Sequence, residues 1–189
     1  MQTSAFDRKK TKKKLLPANP AVRFLLFFGI GMVVFYAIYK SAFFDSYIGT
    51  PFVQLQAYLT AFLLNIFGAS ATAAGTVING AEAGQSIDIK GGCDGLEATA
   101  LLLCAVAVFP TNFKLKIPGL VFGFLALFVL NLLRLAVLYI AKGNASQAVF
   151  DLLHEQGGFI IFTALSIVIW MIWANWAMKK EKVVQTEQE

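Results

Sequence analysis

The sequence predicts an all-α membrane protein, a bundle of about four transmembrane helices with an outer interfacial or re-entrant helix and a short external β-hairpin. Three observations carry that prediction. Of 189 residues, 58% are hydrophobic and only 14% charged, where a soluble domain carries roughly a quarter charged residues. The apolar residues come in long blocks: 24–39, 46–81, 98–113, 117–133 and 156–178 contain no Asp, Glu, Lys or Arg. About 20 mostly apolar residues cross a bilayer as a helix. The basic residues, finally, gather at the ends of those blocks. Arg8, Lys9, Lys10, Lys12, Lys13 and Lys14 precede the first, and Lys179, Lys180 and Lys182 follow the last.

Taken in order, residues 1–20 form a basic cytoplasmic tail, 21–178 a single membrane-embedded domain, and 179–189 a second cytoplasmic tail. The first apolar block is long and ends in no small-residue cleavage pattern, so it reads as a span and not as a cleavable signal. Spans are expected over 21–39, 95–110, 118–140 and 158–178. The link 111–117 carries Lys114 and Lys116. Basic segments stay in the cytoplasm, which puts both termini and that link inside and leaves 70–94 and 141–157 outside. Twelve cations then lie inside (the nine just named with Arg23, Lys114 and Lys116), against Lys40, Lys90 and Lys142 outside. The basic runs are juxtamembrane, so they indicate topology and contact with anionic headgroups of the lipid bilayer, not nucleic acid. Parity forbids 51–69 from crossing once. Its Gln54, Gln56, Thr60 and Asn65 disfavour a lipid-facing span, so it is expected on the outer face. Thr76-Val77-Ile78, the turn residues Asn79-Gly80 and Gly84, and the alternating Ser86-Ile87-Asp88-Ile89-Lys90 predict the hairpin, ending at Gly91-Gly92.

Two cysteines make no disulfide framework. Along a helix at 1.5 Å per residue Cys93 and Cys104 stand about 16 Å apart, far beyond the roughly 7 Å a disulfide tolerates. Cys104 lies mid-helix among Leu103, Ala105 and Val106 and reads as filler. Cys93 sits in Gly91-Gly92-Cys93-Asp94-Gly95, ahead of a helix start, where free amides and the helix dipole favour a thiolate and a developing oxyanion. The plainer reading is a small apolar residue in a turn. Arg134 interrupts the apolar run Phe124–Ile140, at an insertion cost of at least about 2.5–3.5 kcal/mol. It either snorkels to the headgroups or faces inward as a cation, with Asn131 one turn earlier on the same face. His154 is the sole histidine. The topology puts it at the same depth as Cys93, where an imidazole can take a thiol proton and protonate a leaving amine. One Cys and one His make a zinc site improbable, and the sequence implies neither a metal nor a cofactor.

These residues resemble the exosortase and archaeosortase family of membrane-embedded cysteine transpeptidases. The matching pieces are Cys93-Asp94-Gly95 opening a helix, Asn131-Leu132-Leu133-Arg134 late in the next, and His154 before the last, over about residues 75–175. Gly92-Cys93-Asp94-Gly95-Leu96-Glu97-Ala98-Thr99, followed by Phe109-Pro110, is most similar to the short H subtype of exosortases. The resemblance implies Cys93 as nucleophile, Arg134 as stabiliser and His154 as acid/base. It implies a cell-membrane enzyme with its site facing outward. Its substrates would be exported proteins carrying a C-terminal motif, a hydrophobic helix and a basic tail. Amides near Gly95 would assist Arg134, and Glu97, one turn past Cys93, would orient Arg134 or His154. Many relatives have serine where this chain has Asp94, and an acid beside the thiol opposes thiolate formation. Two other readings fit the same residues: a non-catalytic membrane subunit for transport or assembly, and an acyltransferase moving lipid chains through the same thiol.

Overall fold

The computed structural model describes residues 19–81, 85–89 and 93–186. The basic tail at 1–18 and the expected hairpin end at Lys90, Gly91 and Gly92 lie outside the described residues. Three helices are long and apolar enough to cross a membrane: α1 (Pro20–Tyr39), α5 (Phe113–Asn144) and α7 (Gly158–Thr186), the last over Ile160–Val183. The chain is a membrane protein, and its helices differ from the expected four spans in one place. The segment expected as a span over 95–110 is α4 (Leu96–Val108), 13 residues, so about 20 Å against a hydrocarbon core of about 30 Å. Its ends explain its length. Gly95 stands at φ 72° before it, and Phe109, extended ahead of Pro110, stops it. α4 compensates by position, packing against α1, α5 and α7 together.

Close approach among these helices depends on glycine. A Cβ on Gly123 would run into Leu102, and one on Gly119 into the Trp173 indole, whose Nε1 donates to the Leu115 carbonyl at 3.0 Å. Around those contacts Ala98, Leu102, Val106, Leu127, Phe162, Trp173, Ala174 and Ala177 form one buried core. α1 is started by Asn19, whose side chain accepts from the Ala21 amide, with Pro20 at the first helical position. It buries none of its residues.

Between α1 and α4 the chain builds a cap on one end of the bundle. A short turn of helix, α2 (Ala42–Phe44), and a π-helical turn (Asp45–Gly49) lead into α3 (Thr50–Ile66). α3 covers most of the segment expected over 51–69 as a non-spanning helix, and at 17 residues it is shorter than the three helices long and apolar enough to cross. Its buried face carries two polar side chains among apolar ones. Gln56 and Thr60 are fully buried, while Leu55, Tyr58, Phe62 and Ile66 are exposed. Asn65 ends it by bonding Ala71 at both backbone positions, 2.9 and 2.8 Å.

The expected hairpin is present as β2 (Val77–Asn79) and β3 (Ser86–Asp88), antiparallel with Ile78 opposite Ile87. A further strand, β1 (Thr72–Ala74), pairs with β2 to give a three-stranded sheet in the order β1-β2-β3. Ile78, Ile87 and Ile89 point inward with Val53, Ala57, Ala61 and Leu64 of α3 and Leu135, Leu138 and Tyr139 of α5, forming a second core that includes Cys93. The loop expected at 141–157 is mostly helical: α5 runs to Asn144, then come α6 (Gln147–Asp151) and a second π-helical turn (Leu152–Gly157). α7 likewise carries the expected tail on as helix to Thr186.

Candidate active site

Cys93 and Asp94 form the last irregular stretch before α4, and both are 5% exposed. Three helices grip them, two through the backbone and one through the Asp94 carboxylate. Asn131 Nδ2 of α5 donates to the Cys93 carbonyl at 3.0 Å, and Gln56 Nε2 of α3 donates to the Asp94 carbonyl at 2.9 Å. Asn131 also donates to Gln56 Oε1 at 3.3 Å, tying the two amides to each other. From α1, Tyr39 Oη donates to Asp94 Oδ2 at 2.8 Å, and Asp94 Oδ1 accepts from the Leu96 amide at 3.0 Å. Asp94 thus caps α4 from within the cysteine loop. The next residue has to be glycine on two counts. Gly95 is in the left-handed region, and a Cβ there would meet the Asn131 side chain at 3.0–3.3 Å.

The Cys93 sulfur faces the opposite wall. His154 Nδ1 lies 3.4 Å from Sγ and Nε2 3.9 Å. Arg134 Nη2 lies 3.6 Å from Sγ and donates to the His154 carbonyl at 3.2 Å. One guanidinium therefore touches the thiol and steadies the backbone that carries the imidazole. The ring of His154 is stacked on Phe150 at 5.4 Å, and the Arg134 guanidinium covers the Phe162 ring at 5.3 Å. His154 belongs to the π-helical turn, a wider coil that is common where a helix serves a site.

Burial pushes the Cys93 thiol above its ordinary range; the Arg134 charge and hydrogen bond pull it down, and the Asp94 charge adds to the rise. Burial thus outweighs the guanidinium at the same atom, and the thiol stands beside both an imidazole and a planar cation. A nucleophile, a base and an anion-stabilising donor within hydrogen-bonding reach are the components of acyl transfer.

The structure brings Cys93, Arg134 and His154 together, with Asp94, Gly95 and Asn131 behind the cysteine. Glu97 sits elsewhere. Its carboxylate lies near the Tyr36 hydroxyl, and among the described residues no hydrogen bond joins it to Arg134 or His154. It does line, with Arg134 and Gly158, a cavity of about 20 Å³. A family model described as transmembrane exosortase matches residues 15–171. The chain belongs to the exosortase family. That membership points to a transmembrane sorting transpeptidase. No curated protein and no solved structure matches the chain.

Three residues of this exosortase site escape sequence reasoning. In the sequence Gln56 reads only as a polar residue unsuited to lipid, not as the partner of Asp94 and Asn131. Tyr39 is one aromatic among many at the end of α1. Gly158 admits Arg134: a Cβ there would collide with the guanidinium. The only signal in the sequence is a glycine pair, Gly157-Gly158, opening the last apolar block.

Proposed function

We propose that this chain cleaves the C-terminal sorting signal of exported proteins through a thioester on Cys93 and passes the released carbonyl to an envelope acceptor. Family membership supplies the class of activity. The observation that carries the rest is a buried thiol 3.4 Å from the chain's one imidazole and 3.6 Å from a guanidinium. Cys93 Sγ attacks the scissile carbonyl while its proton passes to His154. The carbonyl oxygen becomes an oxyanion facing Arg134, whose charge-assisted bond strengthens as negative charge develops. Collapse breaks the C–N bond, His154 returns the proton to the departing amine, and the acyl group stays on sulfur. An amine, a hydroxyl or water then attacks the thioester, with His154 as base, and restores the thiol. Asn131 and Gln56 hold the nucleophile's backbone, and Glu97 balances charge across the small cavity it shares with Arg134. With the basic segments cytoplasmic, the cysteine loop and sheet lie at the outer face. There the motif of a protein anchored by a C-terminal helix and basic tail would emerge.

The test is a pair of substitutions, Cys93→Ala and Cys104→Ala, in the native host, with the size of co-encoded proteins bearing motif, helix and basic tail as the readout. Uncut tails in the first alone support the reading. Processing that survives loss of Cys93 removes it, and a fatty acyl adduct trapped on Cys93 in place of a peptidyl one would transfer the site to lipid chemistry.

A further inference from the structure

An apolar groove of about 250 Å³ runs between α5 and α7, with Arg134 in its lining. Leu133 and Val137 of α5 and Ile161 and Phe162 of α7 line it, together with Gly158 and with Leu153, the neighbour of His154. Leu133, Val137 and Ile161 are about half exposed. A second groove, of about 410 Å³, is formed by Leu103, Leu120, Val121, Phe124 and Leu125 of α4 and α5. It is equally apolar, but no residue of the thiol cluster lines it.

Lipid chains fill any apolar groove in a bilayer, so apolarity alone identifies no occupant. The two grooves differ in what borders them. Arg134 borders the first, and among the described residues its buried Nε has no hydrogen-bond partner. A buried donor left unpaired is costly, and an acyl chain has nothing to offer it. A peptide backbone leaving a helix does, because the carbonyls at helix ends lack partners within the helix. The same guanidinium reaches Cys93 Sγ at 3.6 Å, so a chain that lies in the groove and unwinds at Arg134 is separated from the thiol by that one side chain. The groove also runs between two helices each long enough to span the membrane, as a third spanning helix alongside them requires.

Building on the proposed function, we infer that the α5–α7 groove seats the transmembrane helix of the exported substrate, admitted sideways from the bilayer, and hands the peptide link above that helix to Cys93. The groove walls then select an uncharged, apolar face on the substrate helix nearest the scissile link.

The full chain carrying Cys93→Ala, in lipid nanodiscs, provides the test, because binding is then read without cleavage. A benzophenone amino acid replaces Val137 or Ile161 in the first groove, and Val121 or Leu125 in the second. The probe is a fluorescent synthetic peptide with a polar lead, a Leu/Ala helix of about 20 residues and a Lys/Arg tail. Labelling from 137 and 161 several-fold above that from 121 and 125 is expected, and Ile161→Trp should abolish labelling from 137. Equal labelling of both grooves, or photoproducts containing only phospholipid, would overturn the inference, as would displacement of the peptide by a fatty acyl probe. Lost groove labelling with Cys93-dependent processing sinks the groove alone. Groove labelling with Cys93-independent processing sinks the thiol chemistry alone.

Discussion

Cys93 and Cys104 are eleven residues apart in the same chain, both free thiols, and almost nothing else about them is alike. Cys104 is in the middle of α4, where its sulfur packs close to Gly31 of α1. Its neighbours are apolar, and its backbone is occupied by the helix. Cys93 is held by its carbonyl from α5, followed by a residue tied to α1 and α3, and faced by a cation and an imidazole. The difference teaches that a thiol in this bundle meets charged and titratable partners where the chain leaves helical structure. Only there is the backbone free to be gripped from one side while the side chain is presented to the other.

The comparison breaks most sharply if Arg134 is pushed off the sulfur with both cysteines left in place. Gly158→Ala adds one methyl where the guanidinium lies. It should cut tail processing in the host about 100-fold, the cost of losing one oxyanion donor, and leave Cys93 still alkylatable. Near-normal processing by that variant would remove Arg134 from the mechanism. Loosening the grip costs less. Gln56→Leu removes both the bond to the Asp94 carbonyl and the partner of Asn131, and about a tenfold loss is expected, equivalent to about 1.4 kcal/mol. Gln56→Glu, which keeps the acceptor and loses the donor, should fall between Leu and wild type. Unchanged rates for both would show that α5 alone holds the loop.

The smallest effect concerns charge at the sulfur. Alkylation of Cys93 in a Cys104→Ala background should quicken with rising pH, since burial keeps the thiol above its ordinary range. Arg134 lowers that range and Asp94 raises it. At fixed pH near neutrality Arg134→Gln should therefore slow alkylation, and Asp94→Asn should speed it several-fold. A reversed order would mean that Asp94 acts through its capping of α4 and not through its charge.

That Cys93, Arg134 and His154 converge was legible in the sequence, because an ionisable residue in an apolar run is expensive and topology put all three at one depth. The hairpin was legible from alternation and turn residues, and α3 from its misplaced amides. What was hidden depended on the third dimension. Gly158 matters only because of what crosses above it, and Gln56 only because Asn131 stands opposite, 75 residues away. β1 is three small, exposed residues with no periodicity to betray them. Both π-helical turns are one-residue widenings of otherwise ordinary helical sequence, and the shortness of α4 emerges only once its glycine start and proline stop are read together.

The buried amide and hydroxyl of α3 also bear on biogenesis. Gln56 and Thr60 leave the ribosome long before Asn131 and the rest of α5 exist to cover them, so α3 cannot settle when it is made. Its buried face is completed only once α5 has been made, so the grip on the Cys93 and Asp94 carbonyls closes late in assembly. A chain interrupted before α5 lacks both the Asn131 that holds the cysteine loop and the Arg134 that faces the sulfur.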